Sequence, residues 1–180
     1  MHAANNVLTF LIHTIFTLYI GALFLRVLLS ATRADFYNPV SQFLVTITNP
    51  VLLPLRKILP SIGAIDTASW FLIFGLKALE LFILSSIGVR FSHTLAIQTI
   101  LEIAIFVTSI TFFAVLLRVI LSWFQTPQMH QNPVFSLLMS ITEPLLSPAR
   151  KYIPPIGAFD LSALVVLIIL NCILIALRSI

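Results

Sequence analysis

Long runs of apolar residues alternate with segments that are richer in polar residues and proline. Four of these runs have the length of about 20 residues that a helix needs to cross the hydrocarbon core of a bilayer. They cover roughly residues 7–30, 67–88, 95–122 and 161–178. Each run exceeds the strand of about 10 residues that a membrane barrel uses. All ten prolines lie outside the runs, where they leave helix interiors intact. The pattern therefore predicts an all-α membrane protein with four transmembrane helices.

The composition supports this class and excludes two others. Only 9% of the 180 residues are charged and 59% are hydrophobic, whereas about 25% of the residues of a soluble domain are charged. Disorder is excluded because disordered chains have low hydrophobicity. The net charge of +4 is interpreted as a signal of orientation in the membrane. The single Cys172 lies in an apolar run, so no disulfide framework is expected.

An internal repeat is the strongest signal in the sequence. Residues 38–66 align without a gap to residues 132–160, and 16 of these 29 positions are identical. Arg26 and Arg118, each near the end of an apolar run, also correspond. Because each copy has two spans, both copies are expected to enter the membrane in the same direction. The two expected repeats are residues 1–92 and 93–180.

The segments between the spans are predicted to fold as short amphipathic helical hairpins, over 38–62 and 132–156. The Asn-Pro at the start of each segment suits a helix N-cap and the first helical position. Apolar residues then recur at helical spacing: Val40, Phe43, Leu44 and Ile47 in the first copy, and Val134, Leu137, Leu138 and Ile141 in the second. A further proline, Pro50 or Pro144, is predicted to begin a second helix. Helices of about ten residues are about 15 Å long, so the hairpins are expected at the interface or as shallow re-entrant segments. The interfacial form is favoured because basic residues are costly at depth.

The shared proline, glycine and polar positions of these segments are the candidate docking site for a partner or a lipid. In the first copy they are Asn38, Pro39, Pro50, Pro54, Arg56, Lys57, Pro60, Gly63 and Asp66. In the second copy they are Asn132, Pro133, Pro144, Pro148, Arg150, Lys151, Pro154, Gly157 and Asp160.

The charged residues of this motif each have two interpretations. The Arg-Lys pairs either anchor the chain at lipid headgroups and set its topology, or form a docking surface for a partner protein or anionic lipid. The aspartates, Asp66 and Asp160, either cap the second span of each repeat or form ion pairs with the interface arginines, Arg26 and Arg118. One aspartate can both cap a helix and form an ion pair. The two glycines are expected to supply the turn before the cap.

A second candidate site is a group of polar residues within the spans, expected at similar depth. Its members are His13, Lys77, Glu80, Glu102 and Asn171. In one interpretation, Lys77 pairs with Glu80 or Glu102, and the group locks helix packing or holds a partner helix. In the other, the group forms a proton or cation relay. The repeat counterparts of His13, Glu80 and Glu102 are apolar, so the repeat does not encode a symmetric pore lining.

Known catalytic motifs are missing from the sequence. It has no glycine-rich phosphate loop, Gly-x-Ser-x-Gly, His-Glu-x-x-His or Cys-x-x-Cys. Its four histidines lack metal-ligand spacing, and no basic stripe with interleaved aromatic residues is present for nucleic acid. We therefore expect no enzyme, no cofactor, no metal and no nucleic-acid partner. The positive-inside rule predicts a cytoplasmic-membrane protein with both connecting segments in the cytoplasm and both termini outside.

The paired motif resembles the YggT family of small bacterial and plastid membrane proteins. Asn-Pro, followed by Thr-x-Pro-x-x-x-Pro-x-Arg-Lys-x-x-Pro-x-x-Gly-x-x-Asp, occurs in both copies, so the resemblance covers nearly the whole chain. The resemblance implies a role in membrane-protein or cofactor assembly, in division-site organisation or in osmotic tolerance, and it implies no defined reaction.

Two functions remain open at this point. The first is a non-enzymatic scaffold or assembly factor that contacts the bilayer, anionic headgroups and other membrane proteins through the repeated segments. The second is a component of an ion-handling channel or transporter that uses the charges within the spans. Because two repeats make only a small bundle, a pore would require a homo-oligomer.

Overall fold

Six α-helices make up the regular structure in a computed structural model that describes residues 2–32, 34–62, 66–123, 132–153 and 160–180. The helices are α1 (His2–Ala31), α2 (Pro39–Ile58), α3 (Thr67–Ser86), α4 (Leu95–Trp123), α5 (Pro133–Tyr152) and α6 (Leu161–Ser179). Within these residues there is no β-strand. The all-α prediction is therefore confirmed.

Of the six helices in the described residues, four are long and apolar enough to cross a membrane, at the positions that the sequence predicts. The apolar stretches are Ala4–Ala31, Thr67–Ser86, Leu95–Ser122 and Leu161–Ser179. Their outer faces carry large apolar side chains, such as Phe10, Leu18 and Phe113, that are about two-thirds exposed. Water would not tolerate such a surface, whereas lipid tails match it. The chain is an integral membrane protein.

The predicted hairpins are wrong, because each connecting segment contains one continuous helix of 20 residues. Two prolines lie inside α2, Pro50 and Pro54, and two lie inside α5, Pro144 and Pro148. Each proline removes a backbone donor and disfavours the preceding turn. All four prolines, however, lie on the exposed side of their helices. The prolines therefore do not interrupt the side that packs on the protein.

The buried side of each connecting helix explains why the helix continues past its prolines. In α2 the buried positions are Ser41, Leu44, Thr48 and Leu52, and in α5 their repeat counterparts are Phe135, Leu138, Thr142 and Leu146. These positions recur every three or four residues on both sides of the first internal proline, so a single helix buries all of them on one face. Phe43, which the apolar pattern placed on the packing face, is 63% exposed.

The chain forms two compact units. Unit 1 comprises Met1–Val27 and Phe43–Ile103, and unit 2 comprises Leu28–Gln42 and Ala104–Ile180. In unit 1, Leu23, Leu52, Ile73 and Leu81 are almost fully buried. In unit 2, Val115, Leu146, Ala163 and Val166 form a buried cluster that joins α4, α5 and α6. Each unit thus packs one connecting helix against spanning helices.

Candidate functional site

In unit 1, the connecting helix is held to the first span by Arg26. The Arg26 Nη1 group donates hydrogen bonds to Thr48 Oγ1 (2.5 Å) and to Asn49 Oδ1 (2.8 Å). The Thr48 hydroxyl in turn donates to the Leu44 carbonyl (2.6 Å), four residues earlier in α2. Arg26 is 7% exposed and Thr48 is fully buried. The guanidinium is therefore bonded to neutral groups inside the unit.

In unit 2, the same contact is made by Arg118. Its Nη1 group donates to Thr142 Oγ1 (2.8 Å), and the Thr142 hydroxyl donates to the Leu138 carbonyl (2.6 Å). Its Nη2 group donates to Glu143 Oε2 (2.7 Å), which stands where the first copy has Asn49. Arg118 is only 4% exposed. We call the two arrangements the arginine–threonine contacts.

Asp66 forms the second polar contact of unit 1. Its side chain caps α3 by accepting from the Ser69 backbone N–H (3.3 Å) and from the Ser69 hydroxyl (2.7 Å). It also accepts a hydrogen bond from Arg56 and forms an ion pair with it. Burial by itself raises the pKa of Asp66. The hydrogen bonds from Ser69 and Arg56 outweigh burial, so its pKa lies below the ordinary value.

Asp160 has the corresponding role in unit 2. It caps α6 by accepting from the Ala163 N–H (3.4 Å), and it also accepts from the Ser162 hydroxyl. Arg150 donates to it through Nε (2.9 Å) and Nη2 (2.6 Å). Burial raises the pKa of Asp160, but the bonds from Ser162 and Arg150 prevail and lower it. A cavity of about 60 Å³ beside these groups has room for a few water molecules.

The structure corrects the predicted ion pairs of the two aspartates. Each aspartate has the predicted N-cap role, but its arginine is the one at the end of the connecting helix, Arg56 or Arg150. Arg26 and Arg118 bond the middle of that helix instead. The sequence distance explains the choice, because Arg56 and Arg150 each precede their aspartate by only ten residues.

The other motif residues fall into three groups. The first group accepts hydrogen bonds near helix ends. Asn38 caps α2 by accepting from the Val40 N–H (3.0 Å), and Asn132 caps α5 by accepting from the Val134 N–H (2.9 Å). The carbonyl of Pro60 accepts from the Thr67 hydroxyl. Lys57 and Lys151 are exposed and form no ion pair among the described residues. Three positions lie outside the described residues: Gly63, Pro154 and Gly157.

Four of the five residues of the predicted polar group within the spans form a connected cluster in unit 1. Lys77 Nζ lies 3.1 Å from Glu80 Oε2 and 3.6 Å from Glu102 Oε2. His13 Nδ1 lies 2.7 Å from Glu80 Oε1. Glu80 is fully buried and Lys77 is 5% exposed, whereas His13 and Glu102 lie at the edge. We call these residues, with Gln98, the membrane charge cluster.

Gln98 is a member of this cluster that the sequence interpretation missed. It donates to Glu102 Oε1 (3.2 Å) from one turn earlier in α4, and this spacing of four residues was the available signal. Asn171, the fifth residue of the predicted group, is exposed on α6 in unit 2. Among the described residues, no group of three or more histidine, cysteine or acidic side chains could hold a metal.

Comparisons with known proteins agree with the repeat. A family model described as CCB3/YggT matches residues 5–87 and again residues 97–180. An uncharacterised protein from the proC 3′ region of Vibrio alginolyticus is 41% identical over 91% of this chain and 89% of its own length. The uncharacterised protein YggT of Escherichia coli K12 is 33% identical over 92% of this chain and 86% of its own length. No solved structure matches the chain.

Proposed function

This chain belongs to the CCB3/YggT family, and from that premise we propose that it is a non-enzymatic membrane scaffold or assembly factor. Its working surface is the exposed side of α2 and of α5. The partner is another membrane protein whose contact surface is apolar and carries acidic residues. The two repeats, residues 1–92 and 93–180, each supply one such surface.

The observation that supports this proposal is that some residues of the motif bond inside each unit whereas others stay exposed. The arginines, the aspartates and the buried threonines bond inside each unit and fix the connecting helix at its middle and its end. The lysines stay exposed at the ends of these helices, and the same helices also expose large apolar side chains, namely Phe43, Leu53 and Ile58 in α2, and Val134, Leu145 and Tyr152 in α5. A rigid helix that exposes apolar and basic groups is suited to bind an apolar, acidic partner.

Reversing the charge of Lys57 and Lys151 together is expected to weaken partner binding at least tenfold, because like charges would then face each other. The measurement is photo-crosslinking in native membranes from a reactive amino acid placed at Phe43. The matched control reverses Arg90, in the segment between α3 and α4, and Arg178, in the last turn of α6, both of which are exposed. Crosslinks that vanish with the lysine pair and persist with the arginine pair support the proposal. Equal loss in both variants contradicts it.

For the localisation, we propose the cytoplasmic membrane, with α2 and α5 at the cytoplasmic side and both termini outside. The basis is the positive-inside rule, since the basic pairs Arg56–Lys57 and Arg150–Lys151 end the two connecting helices. A membrane-impermeant amine reagent should label these lysines in inverted vesicles. Labelling of Lys57 or Lys151 in intact cells contradicts this orientation.

A second candidate function, ion handling linked to osmotic tolerance, is favoured by the membrane charge cluster. The cluster connects His13, Glu80, Lys77 and Glu102 within an apolar part of unit 1. Charged groups at such depth often belong to ion pathways. If ions pass here, purified protein in liposomes gives a flux that the joint substitution Glu80→Gln and Glu102→Gln abolishes. A flux that survives this substitution, or the absence of flux, contradicts the second candidate.

A further inference from the structure

The two repeats differ in how they balance the charge of their buried arginine. In unit 2, Glu143 accepts from Arg118 (2.7 Å) and lies 3.4 Å from Arg150. Arg150 also pairs with Asp160. Two guanidinium groups therefore meet two carboxylates, and the formal charge of the network is zero.

In unit 1, the equivalent network has one positive charge in excess. Arg26, Arg56 and Asp66 occupy the positions of Arg118, Arg150 and Asp160, but Asn49 stands in place of Glu143. All six acidic residues of the chain lie among the described residues, and none of them forms an ion pair with Arg26. Asp66 is the single carboxylate of this network, and it is already paired with Arg56.

The free donors at Arg26 are suited to a tetrahedral oxyanion. Only Nη1 of Arg26 is used, by Thr48 and Asn49, so within the described part of the chain Nε and Nη2 donate no hydrogen bond. Tyr19, two turns earlier on the same face of α1, has a buried hydroxyl with no partner among the described residues. Burial of a guanidinium is costly unless an anion pairs with it, and Arg26 forms no ion pair among the described residues.

The position of Arg26 along its helix points to the phosphate of a lipid. The apolar stretch of α1 has 28 residues, a length of about 42 Å against about 30 Å of hydrocarbon, so its ends reach the headgroup region. Arg26 lies five residues before the end of α1 at Ala31, which places it about 8 Å from that end. With this stretch centred on the hydrocarbon, the Cα of Arg26 lies about 2 Å inside the hydrocarbon boundary, from which an arginine side chain can reach the phosphodiesters.

We propose that unit 1 binds the phosphate group of an anionic phospholipid at Arg26, in the place that the Glu143 carboxylate takes in unit 2. The site is a binding site in its own right and does not depend on the proposed docking of a partner. The lipid would complete the charge balance of the first repeat and tie it to anionic regions of the bilayer.

The test exchanges the residues that distinguish the repeats. Purified protein is mixed with phosphatidylglycerol or phosphatidylcholine, and bound lipid is counted by native mass spectrometry. We expect one tightly held phosphatidylglycerol on the natural protein. Asn49→Glu should weaken its binding at least tenfold, and Glu143→Asn should add a second bound molecule. Both substitutions install the residue of the other repeat, so the fold is expected to accept them.

Two controls keep the result decisive. Asn49→Gln changes shape without adding charge and should retain the lipid, and Lys57→Gln removes an exposed charge and should also retain it. Equal lipid binding by the natural protein and Asn49→Glu overturns the proposal, as does loss in Lys57→Gln or failure of Glu143→Asn to gain a lipid. Displacement of the lipid by inorganic phosphate at similar concentration would assign the site to a free anion and overturn the lipid proposal.

Discussion

Lys77→Met is expected to lower the free energy of unfolding by about 3–5 kcal/mol, the usual cost of removing one partner from a buried ion pair. The Lys77 ammonium lies between two carboxylates, 3.1 Å from Glu80 and 3.6 Å from Glu102. Glu80 is fully buried, and without Lys77 its carboxylate keeps, among the described residues, only His13 as a polar partner. The measurement is denaturant or thermal unfolding of the detergent-solubilised protein, followed by the helical circular dichroism signal.

Two variants separate a charge effect from a packing effect at Lys77. The triple variant Lys77→Met, Glu80→Gln and Glu102→Gln leaves no uncompensated charge and should recover most of the lost stability. Asn171→Met alters the repeat counterpart of Lys77, which is exposed on α6, and should change stability by less than about 0.5 kcal/mol. If the triple variant is as unstable as Lys77→Met alone, the charge explanation is refuted.

Asp66→Ala has the second largest expected effect, a loss of about 2.5–4 kcal/mol. This sums about 1 kcal/mol for an N-cap and about 1.5–3 kcal/mol for a charge-assisted hydrogen bond. Asp66→Asn keeps a capping oxygen and should lose less. Asp160→Ala should also lose less, because the Asp160 side chain is 23% exposed against 8% for Asp66. Chemical unfolding at neutral pH measures all three, and equal losses at the two aspartates would contradict the role of burial.

The contribution of Asp66 to the free energy of unfolding should also depend on pH. Its pKa is lower in the folded protein than in the unfolded chain, so its contribution is fully present above the unfolded pKa of about 4. The contribution is lost as the pH falls through the folded pKa, where the carboxylate takes up a proton. The stability difference between the natural protein and Asp66→Asn should therefore shrink on acidification. A difference that stays constant down to the lowest pH at which the protein remains folded would rule out this linkage.

The spans, and the pairing of Lys77 with Glu80, can be predicted from the sequence because they depend only on the length of an apolar run and on the spacing of residues along it. Span length depends on bilayer thickness, and the spacing of Lys77 and Glu80 places both on one face of a helix. For His13, the long-range partner of Glu80, the sequence indicates only a similar depth in the membrane. A depth estimate gives height along the membrane normal but not the direction in which a side chain points, and the exposed Asn171 illustrates that difference.

The connecting helices could not be predicted in full because two local rules conflict there. The proline rule predicts a break at Pro50, whereas the buried spacing of Leu44, Thr48 and Leu52 requires one helix. Thr48 can lie on the buried side because its hydroxyl accepts a hydrogen bond from Arg26. The pattern of polar and apolar positions does not predict this contact. Asp66 pairs with Arg56, ten residues before it, while Arg26 is held at Thr48 and Asn49, which the polarity pattern likewise does not show.

The short sequence separation of these contacts has a consequence for biogenesis. The arginine–threonine contacts join residues 22 and 24 positions apart, and the aspartate pairs join residues 10 positions apart. The polar network of the first copy can therefore close as soon as residue 69 has left the ribosome, before the connecting helix α5 of the second copy has been translated. Each guanidinium can then bond its neutral or acidic partners during membrane insertion, before the C-terminus has been synthesised. Ribosome-bound chains that are truncated between the copies should therefore already protect Arg26 from chemical modification.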